Sequence, residues 1–317
     1  MLVFNVSSNT EFGVTMRVTK PVTVQLVGGL GNQLFGYFAG RYVAKRLGAE
    51  LLVDISQFDK GITAHGSSIE SFVLSERIVN LKQETRFAIL LTQNLLNFAS
   101  SKVPAFTGAA ELLTRIHTSR PIGIDPRISK IKPGMLMRGY YQSYVYVQDV
   151  VSESTFDLVL SQPSEWFKSM VTDAARAKPI MVHVRRGDYA KAENKDFGML
   201  DARYYENAVS RARKKLGDAH RPIWIFSDDI PLVRTELSEL FSDASFVVPP
   251  DESNAAESMI LMSKGAANVI SNSTFSWWAA ILNSGSVVVA PSKWFKNMND
   301  PEGLIPPEWL TQESEWK

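Results

Sequence analysis

The chain has 317 residues, 45% of them hydrophobic, with 34 Lys and Arg against 33 Asp and Glu, a net charge of +1 and no cysteine. Near-neutral charge offers no bulk attraction to nucleic acid or an acidic membrane. The lack of cysteine excludes disulfides, zinc thiolate sites and a thiol nucleophile. No apolar run of membrane-spanning length occurs, so no transmembrane segment is expected.

The first twenty residues lack the basic start and apolar core of a signal peptide, and Met16 is a candidate start codon. Thr23–Val27 is a β-branched run that reads as a buried strand. Gly28-Gly29-Leu30-Gly31 follows as a tight turn. Asn32–Leu47 has helical spacing at Leu34, Phe35, Phe38, Tyr42 and Val43, with Asn32 as N-cap and Gly48 just past the end. Leu51–Val53 is a second strand ending at Asp54, which completes a βαβ unit. Arg86–Phe98 has a helical pattern, Pro121–Pro133 reads as loop, and Arg138–Val147 as strand followed by loop. Asp149–Ser164 reads as a connection between halves.

The second half alternates more clearly. Ile180–Val184, Pro222–Phe226, Ser245–Val248, Asn268–Ile270 and Val287–Ala290 read as strands. Arg203–Leu216, Leu232–Phe241, Ala255–Lys264 and Phe275–Leu282 read as the helices between them. This rhythm predicts an α/β fold of two Rossmann-like halves, residues 1–155 and 156–317.

Four constellations could carry chemistry. In the turn from Gly28 to Gln33, Gly29 and Gly31 would let backbone amides approach an anion at a helix start. Asn32 and Gln33 either bind sugar hydroxyls or phosphate oxygens, or cap the helix. In His183-Val184-Arg185-Arg186-Gly187-Asp188, two arginines end a strand, where open α/β sheets bind ligands. A guanidinium fork there suits a diphosphate. Strand alternation sends the pair to opposite faces, so Arg185 is expected on the ligand and Arg186 paired with a carboxylate. His183 is either a hydrogen-bonded core residue or a ligand contact. Asp228 could accept from a base or ribose, or the Asp228-Asp229 pair could cap a helix near Pro231. The run Asn272-Ser273-Thr274-Phe275-Ser276-Trp277-Trp278 puts hydroxyls at a helix start, a second anion cradle, and its tryptophans read as core. No Walker A loop or nucleophile elbow is present.

These motifs, with Gly139-Tyr140-Tyr141-Gln142-Ser143, resemble the α-1,2-fucosyltransferases of glycosyltransferase family 11. They occur in that family's order from residue 28 to 280, and Pro291-x-x-Trp294-Phe295 also fits. The resemblance implies a GT-B architecture, two Rossmann-like domains facing a cleft. The first domain would take the acceptor and the second the donor. It implies GDP-β-L-fucose as donor and a galactose-terminated oligosaccharide as acceptor. Inversion to an α-1,2 product would need no obligatory metal and no cofactor. It places Arg185 on the diphosphate, His183 near guanine and ribose, Ser273 to Ser276 near the phosphates, and Asn32 facing the cleft. The absence of an N-terminal anchor implies a bacterial-type member, cytoplasmic, and peripheral to the inner membrane where the acceptor is lipid-linked. The stretch after Tyr189 lacks a histidine expected in many members, which leaves acceptor choice open.

A general base would take the acceptor proton. Asp188 is the first candidate and Glu193 the second, although Asp188 could instead pair with Arg186. Two other classes compete. A dinucleotide-dependent oxidoreductase would use Gly29, Gly31 and Asp54, and lacks the third glycine of its fingerprint, where Leu34 stands. A non-catalytic carbohydrate-binding protein would have no use for a diphosphate pocket.

Overall fold

Residues 19–58, 66–81, 114–151, 158–190, 195–251 and 254–317, with Leu91 and Glu111, are described by a computed structural model. The chain starts its first sheet with β1 (Val22–Gln25), whose Val22 and Val24 are fully buried. A glycine turn leads into α1 (Leu30–Leu47), which stops at Gly48 in the left-handed region. The Gly48 N–H there donates back to Ala44 and Lys45 carbonyls, the expected glycine termination. β2 (Leu51–Asp54), β3 (Arg77–Val79), β4 (Ile116–Thr118) and β5 (Leu136–Arg138) complete a parallel sheet of order β3-β2-β1-β5-β4. Two expectations are corrected here. The helix begins at Leu30 with Gly29 as its N-cap, so Asn32 lies inside the first turn and caps nothing. The strand expected in Arg138–Val147 ends at Arg138, and the rest is loop with a 3-10 turn at Tyr144–Tyr146. The expected helix Arg86–Phe98 lies, apart from Leu91, outside the described residues.

The second sheet holds β6 (Ile180–Val184), β7 (Ile223–Ser227), β8 (Ser245–Phe246), β9 (Ala267–Val269), β10 (Val287–Pro291) and β11 (Leu310–Gln312). Its order is β11-β10-β9-β6-β7-β8, again parallel throughout. β6 is buried along its whole length, as a central strand covered on both faces must be, which explains its unbroken apolar run. Its helices are α2 (Glu165–Ala177), α3 (Ala202–Leu216), α4 (Ile230–Leu237), α5 (Ala255–Met262) and α6 (Thr274–Ile281). α4 ends four residues before the expected Phe241, and Glu165–Ala177, just past the connecting segment, is a helix for which no element was expected.

The two sheets share a core where α1 meets α6. Trp277 and Trp278 are fully buried, as their sequence context suggested. Phe35 lies 4.6 Å from Trp277, and Phe38 stacks on Trp278 at 4.9 Å between ring centroids. Both indole N–H groups are satisfied: Trp277 donates to Leu304 O and Trp278 to Gly31 O, each at 2.9 Å. Burial of a tryptophan's roughly 200 Å² is worth up to about 5 kcal/mol, so this seam is a principal tie between the halves. Gly31 permits it. A Cβ there would sit 2.5 Å from the Thr274 carbonyl carbon and 2.7 Å from Phe275 N. The two parallel sheets, with helices packed on them, face one cleft, the GT-B arrangement.

Candidate active site

The cleft has a volume of about 650 Å³ and opens at the carboxyl ends of both sheets. Its wall takes Gly29 to Asn32 after β1, Tyr140 and Gln142 after β5, His183 and Arg185 from β6, and Ser227 and Asp228 from β7. Ser273 to Phe275 after β9 and Trp294-Phe295 after β10 close it. In each sheet the strand order reverses at the first strand of its half: β1 lies between β2 and β5, and β6 between β7 and β9. Ligands of open α/β sheets bind at such switch points. Here both switch points face the same cavity.

Helix starts set the electrostatics. Six helices of at least eight residues lie among the described residues. Four have side-chain N-caps, from Ser164, Asp201, Asp229 and Asn254. The other two, α1 at Gly29 and α6 at Ser273, have no side-chain cap and no acidic residue in the first turn. These two starts border the cleft and touch each other through Gly31 and Thr274. Two positive dipole ends brought into contact repel unless an anion lies between them.

Arg185 adds a full charge at the same place. Its Nη1 lies 3.0 Å from Asp228 Oδ2, and its guanidinium lies over the Tyr189 ring at 5.4 Å. Asp228 borders the cavity, yet its oxygens also build the turn: Oδ1 accepts from Arg186 N at 2.8 Å. Gly187 makes room for this carboxylate, because a Cβ at 187 would lie 2.1 Å from Asp228 Oδ2. The neighbouring Asp229 is the helix cap that the pair suggested, accepting from Leu232 N. His183 is buried at the cavity wall, with Nδ1 2.8 Å from Ser271 Oγ. Burial, and then the charge of Arg185, push its pKa down to about 3, so it is neutral and can exchange hydrogen bonds without adding charge.

Four residues of the candidate motifs, Gln33, Arg186, Asn272 and Ser276, build the site's scaffold. Gln33 is fully buried, and its amide donates to Gly28 O and Gly66 O while accepting from Ser68 N and Ile69 N. Its capacity is spent on backbone. Arg186 is 1% exposed and does not line the cleft, with Nε donating to Glu236 Oε2 at 2.8 Å and Nη1 to Arg185 O. It is paired with a carboxylate as strand alternation predicted, and that carboxylate is Glu236. Asn272 Nδ2 donates to Phe197 O and Gly198 O, tying down that loop. Ser276 is buried and bonds back to Ser271 and Ser273 carbonyls. By contrast Gly29, Gly31, Asn32, His183, Arg185, Asp228, Ser273 and Thr274 all line the cavity. Asp188 lies in a 3-10 turn, Gly187–Ala190, where only its backbone is described, and Glu193 lies outside the described residues.

The Asp54 carboxylate answers the oxidoreductase reading. It is fully buried and accepts from Gln25, Ser56 and Leu81, so no lone pair faces a ribose. Sequence reasoning also missed much of the aromatic wall. Tyr189 and Phe197 stack at 5.3 Å, and Phe197 packs against Phe295 at 5.6 Å. Tyr140 and Gln142 stand out in the sequence only within the Gly139–Ser143 motif. Their alternation about a buried Tyr141 was the signal available.

Fold and cleft together define a two-sheet α/β protein of the GT-B kind. The model of Glycosyl transferase family 11 matches residues 137–313, more than half of the chain. The chain belongs to glycosyl transferase family 11. An alpha-1,2-colitosyltransferase of Escherichia coli is 26% identical over 309 residues, 91% of this chain and 98% of that protein. The O-antigen biosynthesis glycosyltransferase WbnK, also of Escherichia coli, is 27% identical over 304 residues, 90% and 98% of the two chains. The mouse galactoside 2-alpha-L-fucosyltransferase Sec1 is 26% identical over 194 residues, 56% of this chain and 52% of that protein. No helix among the described residues is long and apolar enough to cross a membrane.

Proposed function

We propose that the protein transfers L-fucose from GDP-β-L-fucose to the 2-hydroxyl of a terminal galactoside, with inversion to an α-1,2 linkage. The observation that carries this reading is the meeting of two uncapped helix starts beside Arg185, which gives a dianionic diphosphate three sources of positive potential in one cavity. Charge on the leaving GDP grows as the bond to fucose C1 breaks. Fixed donors aimed at it therefore bind the transition state more tightly than the ground state.

In this account Arg185 contacts the diphosphate, and Asp228 and the Tyr189 ring hold its guanidinium in place. Ser273 and Thr274 supply hydroxyls at the α6 start. Neutral His183 borders the nucleoside side. Asp188 takes the acceptor proton, with Glu193 as the alternative base, a role worth ~10²–10⁴ in rate. Charge neutralisation by Arg185 and the helix starts makes a metal unnecessary, and no cofactor is needed. A cytoplasmic location, peripheral to the inner membrane where the acceptor is lipid-linked, belongs to the same proposal.

The test is to incubate the protein with GDP-fucose and a panel of β-galactosides and to read linkage and anomer from the product by NMR. An α-1,2-fucosyl galactoside supports the reading. Failure to fucosylate any of the panel contradicts it. An activated colitose donor is the second arm, because an α-1,2-colitosyltransferase aligns along nearly the whole chain. Transfer from that donor alone would keep the linkage and change the sugar.

A further inference from the structure

The loop after β5 is bent at two positions that favour glycine. Gly139 has φ +154° and Tyr141 φ +50°, the second unusual for a residue with a side chain. Gly139 is also crowded, since a Cβ there would lie 2.6 Å from Ser119 Cβ. The bend is held from behind. Tyr141 is fully buried, its ring edge-on to Tyr146 at 6.0 Å and its hydroxyl donating to Arg138 O. Gln142 N donates to Ile122 O at 2.7 Å. With Tyr141 anchored inward, its two neighbours line the cavity.

Those neighbours differ in character. Tyr140 is 44% exposed, the one aromatic among the strongly exposed large hydrophobic residues described. Gln142 is 7% exposed; its Nε2 donates to Asn32 Oδ1 at 2.9 Å, and its Oε1 is buried with no hydrogen-bond partner. The Gln142 bond to Oδ1 fixes which way the Asn32 amide is turned and leaves its Nδ2 as a donor not used by Gln142. An open aromatic face beside an oriented amide suits a pyranose, which has one C–H face and a ring of hydroxyls. The axial 4-hydroxyl of galactose clears one such face for stacking.

We infer that Tyr140 is the platform for the acceptor's terminal galactose, that Asn32 donates to one of its hydroxyls, and that Gln142 is a positioning residue that fixes the Asn32 amide. This rests on the proposed galactoside acceptor and adds the residues that select it. Steady-state kinetics with GDP-fucose and lactose test it. Tyr140→Ala raises the lactose KM about tenfold, the worth of one ring contact, while the KM for GDP-fucose stays within about twofold. Tyr140→Phe restores the lactose KM, because the ring and not the hydroxyl makes the contact. Gln142→Met raises the lactose KM, and adding it to Asn32→Ala causes no further rise. A thermal shift with GDP, unchanged in Tyr140→Ala, shows that the variant is folded. A wild-type lactose KM in Tyr140→Ala, or equal damage in Tyr140→Phe, overturns this assignment alone. No transfer to any galactoside by the unaltered enzyme refutes the parent reading and this one with it.

Discussion

Replacing Gly31 with alanine tests the joint between the two halves. The added methyl would lie 2.5 Å from the Thr274 carbonyl carbon, 2.6 Å from Thr274 Oγ1 and 2.7 Å from Phe275 N. Carbon contacts settle near 3.5–4.0 Å, so α1 and α6 must separate by about 1 Å. Two of the three obstacles are backbone and cannot rotate aside. Overpacking of this kind costs about 1–3 kcal/mol, offset in part by the helix preference of alanine over glycine, at most ~1 kcal/mol. The shift also stretches the Trp278 bond to Gly31 O and moves both helix starts relative to Arg185. A displacement of about 1 Å costs on the order of 10²-fold in rate. Gly36→Ala is the matched control on the same helix, since its methyl meets only the tip of Leu26 at 3.3 Å. It is expected to leave kcat within about twofold and stability unchanged or slightly raised. Transfer rates and melting temperatures of both variants decide the matter. A Gly31→Ala enzyme indistinguishable from Gly36→Ala would refute the close approach.

Glu236→Ala leaves the 1%-exposed Arg186 without its carboxylate and lowers stability by about 3 kcal/mol, read by urea denaturation. His183, with a folded pKa pushed down to about 3, binds no proton between pH 6.5 and 3 while its unfolded form does. Stability is full above pH 6.5 and falls by up to ~1.4 kcal/mol per pH unit on acidification through that window, and His183→Asn flattens this limb. His117 behaves oppositely. Burial disfavours its charge, but Asp125 and Glu111 overcome burial and raise its pKa. Its contribution is full below pH 6.5 and is lost as pH rises through the raised value, so His117→Asn removes that alkaline-side decline. The proposed mechanism, which assigns the neutralisation to Arg185 and the two helix starts, predicts that EDTA leaves transfer within about twofold of its untreated rate.

The frame around the site was legible because its signals are long or sharply punctuated. Ile180–Val184 is an apolar run closed by two arginines and a glycine, and it is β6 at the expected bounds. Three three-residue strands, Arg77–Val79, Ile116–Thr118 and Leu310–Gln312, are shorter than the pattern that reveals a strand and were missed. Polar residues near a motif posed the harder problem. Sequence put Gln33, Asn272 and Ser276 near the ligand, and each serves the loops that shape the cleft. Spacing gives proximity to the turn but not the side chain's destination, which depends on loops distant in sequence such as Ser68 and Phe197. Arg185 and Arg186 escaped this limit because strand alternation separated their faces.

The central claim is that Arg185 stabilises the departing diphosphate. Its direct test is kcat for fucosyl transfer by Arg185→Ala and Arg185→Lys, with GDP affinity measured on the same proteins. The account predicts that kcat falls at least ~10²-fold in the alanine variant, by more than GDP affinity does, and that lysine restores little because it cannot reproduce the planar fork. Near wild-type turnover in Arg185→Ala, with GDP-fucose as donor, would contradict it.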